Sequence, residues 1–560
     1  MKKHWFITLI ILLLFFGCQT TPEQETIEMP DVQIEYADDL PVEESEESEG
    51  GNYAETRPGP RSMDELTVAI PRYDLELDFR KSLYSHESQL FTALYEGLFS
   101  YHPVTLEPVS ALAESWALSE DKMQWTFTIR RNARFSNGDP IRAEDFRAAW
   151  LSSLEPHLEA PFSSFFDVIA GARDYRNGIN TDPESVGIRV ISSRVLVVQL
   201  SSPASFFPAM LCHHSFSPIH PSMIDKNDWS LEPPVSNGPF KIVSMDEDGV
   251  YLEKDNQYWD RQNVALNKLT VKYTDSGDEA AYLWNSGEAR WIFGDVNLDA
   301  LTDHSGIQIN VMFATHYYFI RSEQEPYNDN RIRRAMALVL PWEELRSYYY
   351  LPAETLIYPV VNYPSANGII EADYEEALSL MANAGYEDGS ELPELVLRIT
   401  PGYDAARVAV LMADAWMNIL GFNVRIEIVP FERYYQSLKE GGYTVASTTW
   451  IGDFADPYAF LQMWRSDSNL NDALFIDSEY ERLIDRSMIE EGAVRLRTLA
   501  DAEEYLLNSG TILPLCYNPA LNIIDTGEIE GWYANALDIH PFKYMSFRTF
   551  RPLPGVVMAQ

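Results

Sequence analysis

The chain has 560 residues, with 42 Lys and Arg against 85 Asp and Glu, for a formal net charge of −43 at pH 7. At roughly 150 residues per domain this length exceeds one core and implies two to four. A hydrophobic content of 46% excludes a wholly disordered chain, the acidic balance disfavours a nucleic-acid partner whose phosphates it repels, and three cysteines, Cys18, Cys212 and Cys516, supply no disulfide framework.

Lys2 and Lys3 precede an apolar run from Trp5 to Phe16 that only Thr8 interrupts. At about 12 residues the run is short of the ~20 that cross a bilayer, so it reads as an export signal. Gly17 and Cys18 follow where the run stops. The arrangement resembles a bacterial lipoprotein signal, although Phe15-Phe16-Gly17-Cys18, with Leu14 one place early, departs from the usual lipobox at two positions. The resemblance implies a signal peptide over 1–17 and a diacylglyceryl thioether on Cys18. A plain secretory signal with an incidental cysteine is the alternative.

From Gln19 to Thr56 there are 13 acidic residues and no Lys or Arg. Such a stretch buries little and repels itself, so residues 18–60 read as a disordered, solvated linker, closed by Pro58-Gly59-Pro60. No D-x-D-x-D-G spacing favours a calcium site there.

Beyond the linker, strands and helices alternate without a repeat. Trp125 to Ile129 alternates apolar and polar residues, as a half-buried strand does, and Asn137-Gly138 follows as a turn. Ala143 to Leu154 reads as a helix with Phe146, Trp150 and Leu154 on one side, and Val195 to Leu200 as a β-branched strand. Asp329 is placed to cap a helix over 331–340, which Pro341 stops. A helix over 374–384 puts Tyr374, Ala377, Leu378, Met381 and Ala384 on one face, with Gly385 as its end. Another, over 404–420, turns Val408, Leu411, Met412, Ala415 and Ile419 inward before Gly421. Val424 to Ile428 alternates again. This order predicts an α/β layer architecture.

No catalytic constellation emerges: the chain carries no G-x-S-x-G elbow, H-E-x-x-H, phosphate-cradling glycine loop or C-x-x-C. Cys212-His213-His214 offers metal-ligand types, but adjacent side chains point apart, and a structural or surface role is expected. No cofactor, metal or enzymatic activity is expected.

Several segments in order carry a resemblance. They are Tyr95-Glu96-Gly97-Leu98, Thr105-Leu106-Glu107-Pro108, Ala111 to Trp116, Trp125-Thr126-Phe127, Phe135 to Pro140 and Ala143-Glu144-Asp145-Phe146. Further along lie Ser236-Asn237-Gly238-Pro239-Phe240, Asn256-Gln257-Tyr258-Trp259, Pro326 to Arg333, Leu420-Gly421-Phe422 and Trp450 to Pro457. Over about 64–525 the chain resembles the extracellular solute-binding proteins of family 5, the oligopeptide, dipeptide and nickel class that serves ABC transporters, and is most like the oligopeptide-binding members.

That resemblance implies an α/β, two-lobe periplasmic-binding-protein-like fold with an extra domain inserted in lobe I. Lobe I then takes 61–94, 189–313 and 521–560, the insertion 95–188, and lobe II 314–520, with a hinge near 313 and 520. Gly97, Gly138 and Gly238 are expected at tight turns, and Trp116 and Trp259 as core or lobe-face anchors. In peptide-binding relatives the acid at the Asp453 position pairs with the ligand's α-amino group, the Trp at 450 walls the cleft, and Phe162 and Tyr317 align near cleft-lining aromatics. The other reading of Asp453 is a cap on the turn before Pro457. A second acid and an arginine of peptide binders align with Leu83 and Ser447, which leaves ligand length and end preference open.

The function implied is that of a lipid-anchored monomer that is not an enzyme: it captures peptides outside the cytoplasmic membrane and hands them to the permease and ATPase subunits of an ABC importer. Within the same fold a nickel chelate, haem or oligosaccharide is the alternative ligand. A surface interaction lipoprotein without transport is the alternative class.

Overall fold

The computed structural model describes residues 33–36 and 62–548, apart from 227, 231 and 361. The signal segment 1–17, Cys18 and most of the linker lie outside the described residues. One stretch within the linker differs from expectation: Gln33–Tyr36 forms a strand that pairs in parallel with Val424–Ile428. The run from Val32 to Tyr36 holds β-branched and aromatic residues, unlike the acidic stretch after it, and so suits a sheet edge.

The main sheet has eleven strands. On one side Val424–Ile428, Leu395–Ile399 and Val445–Ile451 run together in parallel, and on the other lie Trp291–Phe293, Glu65–Pro71, Lys268–Thr274, Gly249–Lys254 and Phe240–Asp246. Two long antiparallel strands, Ile307–Ile320 and Ile512–Ile524, join the halves, and their register breaks between Val311 and Thr315. A separate four-stranded antiparallel sheet takes Ala113–Leu118, Gln124–Ile129, Val195–Gln199 and Ile188–Ser192.

The sequence periodicities explain these elements. Leu395–Ile399 is buried along its whole length, as expected of a strand with parallel neighbours on both sides and a helix above. The helix Tyr403–Leu420 covers it with Val408, Met412 and Trp416, and each such side chain adds about 1.5–3 kcal/mol of burial. Leu411 and Ile419, expected inward, are only half-buried, and Trp416 takes the central place. The helix Asn330–Leu338 starts at the Asp329 cap, whose Oδ1 accepts from the Arg331 N–H at 2.9 Å. The helix Tyr374–Asn383 is a surface helix. Ala377 and Met381 face the core, while Tyr374 and Leu378, expected beside them, are exposed because the buried stripe is narrow. The helix Ala143–Ser153 buries Phe146 and Trp150 as expected.

The ordered motifs interlock. Buried Glu96 accepts from the Tyr258 hydroxyl and Lys543 Nζ at 2.7 Å each, and from Trp259 Nε1 at 2.5 Å. Asn237 embraces the Glu96 backbone, donating to its carbonyl at 2.8 Å and accepting from its N–H at 3.3 Å. Gly238 then passes so close to the helix Ser85–Leu94 that a Cβ would stand 2.4 Å from the Ala93 carbonyl oxygen. Close approach, rather than the expected tight turn, is what this glycine permits. Trp259 is thus a polar anchor as well as a packed one. Trp116 corrects its expectation: it is 46% exposed and meets Phe99 by its edge.

Candidate ligand-binding cleft

The strand Val445–Ile451 pairs with Ile307–Ile320 so that Thr448 lies opposite Tyr317 and Trp450 opposite Thr315. Thr448 and Trp450 line a cavity of about 340 Å³, together with Leu83, Phe162, Tyr317 and Asp453. That volume lies at the small end of the ~300–1,000 Å³ typical of ligand pockets. All four residues expected at the site therefore border one space, walled on one side by the strands Ile307–Ile320 and Val445–Ile451 and on the other by the helix Ser85–Leu94 and the segment holding Cys212, His213 and His214. Ser447 is out of phase with Thr448 and Trp450. It is buried beneath the cleft, where its backbone oxygen accepts from the Tyr434 hydroxyl at 2.8 Å.

After the strand the chain turns sharply. The Gly452 N–H donates to the Phe313 carbonyl at 2.8 Å, and a Cβ at 452 would meet the Phe313 ring at 2.4 Å. This turn delivers Asp453. Its Oδ1 lies 3.6 Å from His213 Nε2, its backbone oxygen accepts from the Tyr101 hydroxyl at 3.4 Å, and its Oδ2 has no hydrogen-bond partner among the described residues. Burial pushes the Asp453 carboxyl well above the usual carboxylate range. The capping role belongs to Asp456, whose Oδ1 accepts from the Tyr458 N–H at 2.9 Å.

His213, expected to be structural or at the surface, is buried beside the cleft. Its Nδ1 accepts from the Ser215 N–H at 3.4 Å, which leaves the proton on Nε2, facing Asp453. Burial lowers its pKa to about 3, so at neutral pH the protein sets no cation against Asp453 from this side. The His213 and His214 rings lie 3.9 Å apart, and Phe162 caps them, 4.7 Å from His213 and 6.3 Å from Trp450. Trp450 Nε1 is tied back to the Ala459 carbonyl at 3.2 Å. Tyr317 is fully buried against Trp464 at 5.6 Å, and its hydroxyl has no partner among the described residues. The cleft cations are already paired: Lys543 with Glu96 at 2.7 Å, and Lys439 with Asp472 at 2.6 Å.

Residue patterns alone did not reveal His213, Tyr101, or the Tyr84 and Tyr435 rings that meet at 5.3 Å along the wall. They come from segments far apart in the chain, and no spacing links them. Chemically, the site offers an unsatisfied acidic group and aromatic walls. It suits a ligand that brings its own cation, because an unpaired buried charge is costly.

The model for the bacterial extracellular solute-binding proteins, family 5 (middle region), matches residues 107–472, more than half of the chain. The dipeptide-binding protein DppE of Bacillus subtilis is 26% identical over 461 residues, covering 79% of this chain and 83% of DppE. Among solved structures, Haemophilus influenzae OppA in complex with the peptide RPPGFSPFR matches with a TM-score of 0.77 at 19% identity, over 87% of this chain and all of that one. The unliganded open form of the murein tripeptide-binding protein MppA gives 0.60 at 22% identity, over 86% of this chain and 97% of that one. These likenesses establish the two-lobe α/β fold with an insertion. The chain belongs to the bacterial extracellular solute-binding proteins, family 5.

Proposed function

We propose that this protein captures peptides between its two lobes and delivers them to the permease of an ABC importer, held at the membrane by a lipid on Cys18. Lobe I (61–94, 189–313 and 521–560) carries the insertion 95–188. Lobe II is 314–520, and the strands Ile307–Ile320 and Ile512–Ile524 hold the hinge. Asp453 receives the ligand's α-amino group, Trp450 and Phe162 form the aromatic wall beside it, and Tyr317 forms the floor. An extended peptide backbone bonds alongside as an added strand would.

One observation carries this reading: the Asp453 carboxylate is buried at the cleft with one oxygen unpartnered, while Asp456 performs the capping that would otherwise explain it. The dipeptide-binding relative and the peptide-bound OppA structure support the same class. Native mass spectrometry of the purified protein tests it. Co-purifying masses that fragment as peptides with free amino ends are expected, and a bound metal chelate, haem or sugar would overturn the peptide assignment.

A further inference from the structure

Away from the cavity, a second set of contacts joins the insertion to the segment after Asp453. The helix Ala172–Arg176 presents Arg173 and Arg176 to Asp467, which lies in the loop after Gln462–Trp464. Asp467 Oδ2 takes Arg173 Nε at 2.7 Å, Asn177 Nδ2 at 2.8 Å and Arg176 Nη2 at 3.1 Å, and its backbone oxygen accepts from Arg176 Nη1 at 2.5 Å. Beside this cluster runs an aromatic seam. Phe206 stacks on Phe454 at 5.9 Å and meets Tyr458 at 5.5 Å, Phe165 meets Phe454 at 5.7 Å, and Arg495 lies over Phe206 at 4.5 Å. Phe454 is the residue after Asp453, so the seam and the ligand-facing turn are one piece of chain.

The charges divide in a particular way. On the insertion side Arg176 also holds Asp167 at 2.7 Å. On the other side Arg465 holds Glu481 at 3.0 Å and Asp485 at 2.7 Å. Each side thus keeps its own ion pairs if the two part. Among the described residues the buried ionic contacts that cross the divide are the bonds to Asp467, with longer approaches of Arg173 to Glu481 at 3.7 Å and Asp485 at 3.6 Å. An exposed pair, Lys122 with Glu491 at 2.8 Å, and neutral hydrogen bonds from Ser164 to Gln462 at 2.7 Å and from Asn469 to the Ala160 carbonyl at 2.9 Å cross it too. Separated, the insertion side carries Asp167, Arg173 and Arg176, a net positive set. The facing side carries Arg465, Asp467, Glu481 and Asp485, a net negative one. Opening would therefore leave the most deeply buried arginines paired, while returning Asp467 to water. This is the condition for a contact that can be made and broken repeatedly.

We propose that Asp467, gripped by Arg173, Arg176 and Asn177, is an ionic latch that holds the insertion against lobe II and favours the closed form. The inference rests on the closing-lobe reading given above but not on the identity of the ligand. Burial pushes the Asp467 carboxyl up. The Arg173 hydrogen bond, the Arg176 charge and the Asn177 hydrogen bond outweigh burial and bring it down to about 2, so the latch stays charged through the physiological range. The poorer match to an open relative agrees with a closed arrangement here.

The test needs no ligand. Small-angle X-ray scattering of the ligand-free full chain is recorded from ~10 mM to ~1 M sodium chloride, over which the screening length falls from about 30 to about 3 Å. Wild type should show a small radius of gyration at low salt that rises as salt is added. Asp467→Asn, and independently the half-exposed Arg173→Gln, should already show the larger radius at low salt and respond little to more. Far-UV circular dichroism confirms that each variant is folded. Phe454→Arg, which puts a charge into the aromatic seam, serves as the opening control. If both variants keep the wild-type radius at every salt concentration while the control expands, the latch is overturned. If the control does not expand either, the closing-lobe reading fails, and the latch with it.

Discussion

Arg495 donates through both terminal nitrogens to the two carboxylate oxygens of Asp456, each at 2.8 Å. The pair is mostly buried, and it fixes the turn between Gly452 and the helix Tyr458–Leu461 without help from Asp453. Two acids three residues apart thus have separate duties. Asp456 holds the turn, and Asp453 is held out by it.

The duty of Asp453 can be measured in a cycle. Asp453→Asn leaves a ligand ammonium with a neutral partner in a closed cleft. Truncating one side of such a pair costs about 2–5 kcal/mol, a loss of roughly 30- to 5,000-fold in affinity. Acetylating the peptide's amino end removes the same charge from the other side. Isothermal titration of both proteins with both peptides should therefore show non-additive losses. A coupling energy near zero would remove Asp453 from the site.

Asp456→Asn should behave in the opposite way. It leaves a buried guanidinium with a neutral partner, at a cost of about 3–5 kcal/mol. Calorimetry should show a melting temperature several degrees lower, whereas Asp453→Asn melts close to wild type. Equal destabilisation by the two substitutions would mean that Asp453 also braces the turn.

Gly452→Ala probes the turn from a third side. The added Cβ would press on the Phe313 ring, and overpacking of this kind costs about 1–3 kcal/mol. Because the strain falls next to Asp453, peptide affinity should drop along with stability. Unchanged affinity would show that the position of residue 453 tolerates movement of the backbone before it.

Buried His213 gives a pH signature. The unfolded chain takes up a proton there below about pH 6.5, whereas the folded protein resists until about pH 3. The unfolded state then binds more protons between these values, so this group's contribution to stability is lost as the pH falls. Relative to His213→Gln, wild type should lose about 1.4 kcal/mol per pH unit below pH 6.5. Parallel stability curves for the two proteins would place a charged imidazole in the folded state.

The proposed anchoring rests on Cys18, outside the described residues. Cys18→Ser should leave a protein that is exported but no longer partitions into detergent, as phase separation of cell extracts would show. Partitioning equal to wild type would rule out the lipid.

The helices and strands with strong periodicity were legible in the sequence because their burial patterns are local. Trp125 to Ile129 and Val424 to Ile428 needed only alternation. The helix Tyr374–Asn383 was legible in extent but not in facing, since periodicity cannot say how wide a stripe its neighbours cover. At the site, Asp453, Trp450, Phe162 and Tyr317 came from the resemblance, and all four border the cavity. His213 did not, because its significance lies in a 3.6 Å approach across 240 residues of chain. Nor does sequence show that Asp456 rather than Asp453 is the cap. That depends on where Arg495 falls.

The Glu96 cluster also bears on the order in which the molecule can be completed. Its carboxylate is held by Tyr258 and Trp259, and by Lys543, 447 residues further along the chain. During synthesis the early half must wait, with an acid short of its cation, until the chain as far as Lys543 has emerged. Contacts so distant along the chain slow folding, and a nascent protein that cannot close its first half early remains threadable for longer. A chain cut just before Lys543 would therefore leave this buried acid without its cation.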